Sequence, residues 1–274
     1  MKQLPLTGFS LVFFVFLYAP LFVIIAYSFN SNPVNMLIWD GFTLDWYKGL
    51  FGIGERLDVT QRATYIESTP QLLAALKNSL IVAASTTGIS TVLGTSTALA
   101  LGRHRFRGKS VYSGGLMLPM MMPDIVLGIG LLIFFSTMGM RLSLATIIIG
   151  QCTFLISYVF IVVQARLVGL DPALEEASAD LGAGEWTTFR KVTLPQLAPG
   201  VLGGALLAFI ISMDDLVITY FISGTGSQTL PIFIFGMVRR GVKPEINAIA
   251  TLIILASVLI AGFGLWFHAR GARK

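Results

Sequence analysis

Thiols and imidazoles are nearly missing: Cys152 is the single cysteine and His104 and His268 are the only histidines among 274 residues. That inventory excludes a disulfide framework and a Cys/His metal centre, so no metal or other cofactor is expected. Charged residues are scarce as well, at 12% against 55% hydrophobic, and the mean hydropathy of +0.79 excludes a soluble domain of ordinary surface composition. Alternating polar and apolar positions are absent from the apolar runs, which excludes a transmembrane barrel and leaves an all-α protein. No nucleophile, base and metal-ligand constellation suggests an enzyme. The net charge of +5 reflects membrane topology and does not indicate nucleic acid as a partner.

What is present is membrane material. Runs long enough to cross about 30 Å of hydrocarbon as helix occur at 9–29, 78–101, 111–137, 144–163, 201–222 and 246–267. They predict six helices in one transmembrane domain, residues 1–274, embedded in a lipid bilayer. The first run is longer than a signal-peptide core and lacks a small-x-small cleavage site, so it reads as a retained helix. Arg103, Arg105, Arg107 and Lys109 crowd the turn after the second run and place it in the cytoplasm. Counting from there puts both termini inside, in agreement with Lys2, Arg270, Arg273 and Lys274. Arg239, Arg240 and Lys243 fall in an outer loop against that bias.

Several local signals refine this plan. The second run, rich in Ser, Thr, Gly and Ala, allows close backbone approach and predicts a helix buried among others. Pro119 and Pro123 predict a kink or unwound turn in the third. Trp39, Trp46 and Tyr47 in the outer segment after the first run read as interfacial belt residues. The run 230–238 is too short to span, and is expected to lie at the interface or pack against helices. GRHRFRGKS, residues 102–110, has five residues between its glycines where a phosphate-binding loop has four, and reads as a basic turn.

An acidic island, DPALEEASADLGAGEWTTFRKVTLP at 171–195, interrupts the apolar chain. Asp171 is suited to cap a helix, Pro172 to begin it, and Glu175 and Glu176 to complement its N-terminal dipole. Leu174, Ala177, Ser178 and Leu181 share a face, Gly182 supplies a stop, and a second turn with Trp186 and Phe189 precedes Pro195, which ends it. Two outcomes are open for Trp186 and Phe189: burial beneath the membrane helices, or insertion in a partner's groove.

Charge also lies inside the predicted spans. Asp124, and Asp214 with Asp215, each lie about 13 residues into their runs, at similar depth by helical rise. A carboxylate in hydrocarbon is costly unless it lines a water-filled path or is paired, and no Lys or Arg shares these spans. The alternative is that these aspartates cap broken helices or bond backbone near Pro123.

Glu176-Ala177-Ser178, Gly182 and the ending Val192-x-Leu194-Pro195 resemble the EAA loop of bacterial ABC-importer permeases, with Ser178 for the usual Ala and Val192 for the usual Ile. LYAPLFVIIAYSFN, RFRGKS, MMPDIVLGIGLLIFF, ASADLGAGEW, SMDDLVITYFISG and GVKPEINAIATLI extend the resemblance over most of the chain, to permeases of the spermidine/putrescine type. The resemblance implies a type I (MetI-like) permease fold in a bacterial inner membrane. Its implied partners are a second permease in a heterodimer, a dimeric cytoplasmic ATPase and a periplasmic polyamine-binding protein, with hydrolysis confined to the ATPase. Glu175, Glu176, Ala177, Ser178, Gly182, Trp186, Leu194 and Pro195 would then form the coupling segment. Asp124, Asp214, Asp215 and Tyr220 would line the path of a polyamine, Tyr220 through a cation–π contact. Rival expectations are the same fold with another small cargo, and an ion-driven carrier needing no ATPase.

Overall fold

The computed structural model describes residues 4–32, 38–50, 69–104, 106–240, 247–252, 254–255 and 258. These divide into two compact units, one of residues 1–69 with 234–274 and one of 70–233.

In the first unit, helix α1 (Leu4–Tyr27) is apolar over a membrane-crossing length. The chain then doubles back through an isolated bridge between Asn30 and Phe42 into the short α2 (Asp45–Leu50). Asn30 organises the turn: its amide donates to Ile38 O at 2.8 Å, while its Oδ1 accepts from the amides of Asn32 and Asp40. Trp46 is buried at 8% exposure and donates to Asn30 O at 2.8 Å, and Tyr47 shares a 2.6 Å hydrogen bond with Ser28. The belt reading is therefore corrected for Trp46 and Tyr47, which close a folded turn; Trp39 alone stays exposed. An indole N–H or phenol O–H that finds a partner can be buried, a possibility that composition does not reveal.

The second unit is built around α6 (Leu144–Val168), the most buried of the long helices. On it pack α3 (Thr69–Arg103), α4 (Lys109–Met121), α5 (Asp124–Thr137), α9 (Leu194–Asp214) and α10 (Val217–Ile222). Glycine permits the approach at specific points: a Cβ at Gly94 would stand 2.8 Å from Val159 Cβ, and one at Gly200 2.7 Å from Arg166 Cβ. Leu155, Val159, Phe160 and Val163 of α6 form the centre of the apolar core with Val82, Leu197, Ala208 and Ile218. Helix α11 (Leu230–Arg240) takes the short apolar run expected not to span.

Among the described residues, four helices are long and apolar enough to cross a membrane, or five if one bent pair counts as a span. The bent pair is the third predicted span: α4 and α5 meet at 103° across Met122 and Pro123. Pro123 lacks the N–H that would continue the helix, and Met122 before it is extended, at ψ 141°. Pro119 is tolerated inside α4.

Other spans differ in their bounds. Helix α3 starts nine residues before the predicted 78 and α6 runs five beyond 163, because Lys77 and Arg166 limit a hydrocarbon run but not a helix. One stripe of α3 is buried against its neighbours, including Leu72, Ala75, Val82, Ala98 and Leu101, and its other face is exposed in this chain. The fifth span runs helically from Glu185 to Asp214 and breaks at Asp215 and Leu216 before α10, where 201–222 was expected unbroken. The first span is shifted slightly, to 7–27 within α1. The sixth, 246–267, lies mostly outside the described residues, as do Lys2, Arg270, Arg273 and Lys274.

Candidate functional site

Residues 171–195 form a helix, a stop, and the root of the next membrane helix. Asp171 Oδ1 accepts from the amide of Ala173 at 3.0 Å, capping α7 (Ala173–Asp180), with Pro172 already helical at φ −60°. The C-terminus closes as a Schellman motif: Ala183 N–H donates to Ser178 O, Gly182 N–H donates to Ala179 O, and Gly182 adopts φ +80°. Glycine is favoured there because an L side chain strains in the left-handed region.

Pro195 does not end this segment, which is a correction. Helix α8 (Glu185–Thr188) runs through a π-turn (Phe189–Thr193) into α9, with Leu194 and Pro195 in its first turn. Leu194 N–H reaches back five residues to Phe189 O. The wider π frame takes in the chain just before a proline that cannot donate, so the helix continues.

The two adjacent glutamates point to different surroundings. Glu175 accepts an ion-paired hydrogen bond from Arg103 at the end of α3, and a second from Thr193 Oγ1 in the π-turn at 2.5 Å. Arg103 also donates to Thr193 Oγ1 at 3.0 Å. Glu176 is exposed. Ser178 faces inward and shares a 3.0 Å hydrogen bond with Thr188, bracing α7 on α8. Leu174 and Ala177 are exposed, Leu181 is 89% exposed, and Trp186 is 72% exposed with its ring 5.6 Å from that of Phe189. Of the two outcomes open for Trp186, burial under this chain's own helices is ruled out by that exposure.

The intramembrane carboxylates also separate by role. Asp215 sits in the break between α9 and α10 and is saturated: Oδ2 accepts from Thr219 N (3.1 Å), Thr219 Oγ1 (2.6 Å) and Gln151 Nε2 (3.1 Å), and Oδ1 from Ile218 N (3.3 Å). Gln151, fully buried on α6, also donates to Thr219 Oγ1 and accepts from Ser212 Oγ. This is the helix-capping alternative, realised at Asp215. Gln151 and Thr219 were not singled out in the sequence; a glutamine amid an apolar run was the available signal.

Asp124 and Asp214 are exposed, and no hydrogen bond or ion pair engages either among the described residues. Asp124 opens α5 after the bend, where its charge favours the helix N-terminus. Helices α5 and α10 pack together, a Cβ at Gly128 standing 2.7 Å from Phe221 and 3.4 Å from Ile218. Asp124 lies one turn before that contact on α5, and Asp214 ends α9 at the break that precedes α10. Tyr220 is 52% exposed on α10, edge-on to Phe221 at 6.0 Å.

Known proteins resemble this chain in sequence and fold. The chain is 38% identical over 253 residues to the spermidine/putrescine transport system permease protein PotC of Escherichia coli K12, covering 92% of this chain and 89% of that protein. It is 39% identical over 268 residues to the putrescine transport system permease protein PotI of the same organism, covering 95% and 89%. Among solved structures, a subunit of a bacterial ABC transporter involved in import of the acidic polysaccharide alginate superposes with TM-score 0.67 at 14% identity, over 98% of this chain and 96% of that one. The MetNI methionine ABC transporter gives TM-score 0.54 at 16% identity, over 73% and 93%. These likenesses show an all-α permease fold of the MetI-like type, and a multi-pass membrane protein that is a transport component and not a catalytic subunit. With residues 90–273 also matching the family model, the chain belongs to the binding-protein-dependent transport system inner membrane components.

Proposed function

We propose that this chain is one permease of an ATP-driven importer for polyamines, putrescine or spermidine, and forms the translocation path with a second permease. A periplasmic binding protein delivers the cargo and a dimeric cytoplasmic ATPase drives the cycle. Both termini and residues 171–195 then face the cytoplasm, in keeping with the basic turn at 103–109. The observation that carries the cargo assignment is Asp124 and Asp214, two exposed carboxylates without a basic partner, one opening α5 after a bend and the other ending α9 at a break. A linear di- or triammonium ion supplies the missing positive charges, and Tyr220, exposed on α10, offers an aromatic face to it. Asp215 serves the same path by holding the helix break. The superposition on an alginate importer is no obstacle, since a shared fold does not set the cargo.

Coupling rests on the exposed apolar face of Leu174, Ala177, Leu181 and Trp186, which fits the groove of a soluble partner, with Glu176 free to meet a cation at its rim. Glu175, Ser178, Gly182, Leu194 and Pro195 shape and brace that face. Labelled putrescine and spermidine uptake in cells lacking this chain, complemented with wild type, Asp214→Asn or Gly182→Trp, tests the reading. Wild type should restore uptake of a polyamine and both variants should fail at normal membrane abundance. Wild-type uptake by Asp214→Asn would remove that carboxylate from the path. Full function in Gly182→Trp would refute ATPase coupling and favour an ion-driven carrier, whose uptake an ionophore would collapse.

A further inference from the structure

Helix α3 is tied to the rest of its unit by hydrogen bonds at two places, its C-terminal end and a point nine residues inside its N-terminus. At one end, Arg103 clamps the carboxylate of Glu175 and the hydroxyl of Thr193, joining α3 to α7 and to the root of α9. Nine residues inside the N-terminus, Asn78 donates to the carbonyls of Gly226 (3.1 Å) and Gln228 (3.0 Å), and Ser79 Oγ accepts from Leu230 N (2.8 Å). Both sets reach across more than 70 positions of sequence, and the second holds the turn that follows α10.

Between these two attachments lies a run of small residues. The hydroxyls of Thr86, Thr87, Thr91 and Thr95 are buried and make no hydrogen bond, although buried hydroxyls ordinarily find partners. Ala83, Gly94 and Ala98 carry the close contact surface, and Pro70, in the first turn, is the only proline of α3. Twenty-five residues separate Asn78 from Arg103, about 37 Å of unbroken helical rise. A long helix fastened at two points about 37 Å apart, with small residues and unpaired threonine hydroxyls between them, suits sliding against a neighbour, because displacement breaks few polar bonds between those points.

We propose that α3 is the element that carries the movement of the coupling segment to the outer turn 224–230, with Arg103–Glu175–Thr193 as its inner attachment and Asn78 and Ser79 as its outer one. The proposal rests on the reading of 171–195 as the ATPase-coupling segment, and assigns Glu175, Arg103 and Asn78 as positioning residues that need not touch ATPase or cargo. It also gives the adjacent glutamates separate tasks: Glu175 turns inward to the rod, and Glu176 stays outside. Lying between two sites is not itself proof of transmission, so the test must read one end while perturbing the other.

Gln228, exposed and bonded to Asn78 only through its carbonyl, accepts a cysteine reporter in a Cys152→Ala background. The assembled transporter, with both permeases and the ATPase in proteoliposomes, is labelled at Gln228→Cys with an impermeant maleimide, with and without ATP. The expected result is an ATP-dependent labelling rate in the parent, lost in Glu175→Gln and in Asn78→Ala, and restored by pairing Arg103→Glu with Glu175→Arg. The double variant Glu175→Gln/Asn78→Ala should behave as either single, because both interrupt one element. Parent-like ATP dependence in Glu175→Gln or Asn78→Ala, an additive double variant, or a swapped pair that stays uncoupled would overturn the proposal. Gly182→Trp separates the two levels of inference. If it leaves the ATP dependence intact, the coupling reading falls and this proposal falls with it; if it abolishes that dependence while Glu175→Gln does not, only the α3 assignment fails.

Discussion

Replacing Asp215 by alanine should weaken the folded protein far more than the same change at Asp214, although the two are neighbours with identical side chains. Asp215 accepts hydrogen bonds from two backbone amides, one hydroxyl and one side-chain amide. The Thr219 hydroxyl can rotate to another acceptor, but the amides of Ile218 and Thr219 stand at the start of α10 with no carbonyl within reach across the break. Each buried donor left without a partner costs about 1–3 kcal/mol. Two such donors, partly relieved by water and by losing a desolvated charge, give a net loss of about 2–4 kcal/mol, while Gln151 keeps its bond to Thr219 Oγ1. Asparagine keeps one oxygen for Thr219 and Gln151 and turns an amide toward Ile218 N, sacrificing the longest of the four bonds, so Asp215→Asn should cost about 1 kcal/mol. Asp214→Ala, exposed and unpaired, should stay within about 0.5 kcal/mol. Thermal denaturation of the detergent-purified protein, followed by tryptophan fluorescence, gives the ranking. Equal melting temperatures for Asp214→Ala and Asp215→Ala, or Asp215→Asn as damaging as Asp215→Ala, would refute the assignment of Asp215 to the helix break.

Gly224→Ala should be poorly tolerated, since its Cβ would stand 1.9 Å from Leu142 O; normal abundance and melting of this variant would contradict the packing of that turn. Gly182→Ala should cost about 1 kcal/mol, from the left-handed backbone alone, because nothing lies within 4 Å of the added methyl; a loss several times larger would mean that a neighbour occupies the space. Trp186→Ala should leave stability unchanged within about 0.5 kcal/mol while abolishing ATP-driven uptake, and a lowered melting temperature would show that the indole packs within the chain. The carboxyl of Asp45 is held below the usual carboxylate value by the hydrogen bond from Thr43 and then by Lys48. Its stabilising interaction is therefore complete above the ordinary carboxylate range and fades as pH falls through the lowered value. Thr43→Ala should move its titration, followed by carboxyl NMR, upward.

The sequence by itself determined the membrane class, most of the apolar helices and the capped helix at 171–182, because each is a local property. Hydrocarbon thickness sets the length of an apolar run, and Asp171, Gly182 and Pro123 act on the backbone within a few residues of themselves. Local rules misjudged Pro195, whose helix continues through a π-turn, and the ends of α3 and α6, where a charge stopped the apolar count without stopping the helix. Only the tertiary structure decided which of two like residues does which task. Asp214 and Asp215 differ because Gln151, over 60 positions away on α6, meets one and not the other. Glu175 and Glu176 differ because Arg103 closes on the first from the end of α3. Trp46 and Trp186 are the same side chain, one folded onto Asn30 and one left bare. Such distinctions depend on partners that the chain brings together from distant positions, and a run of sequence carries no record of what will face it.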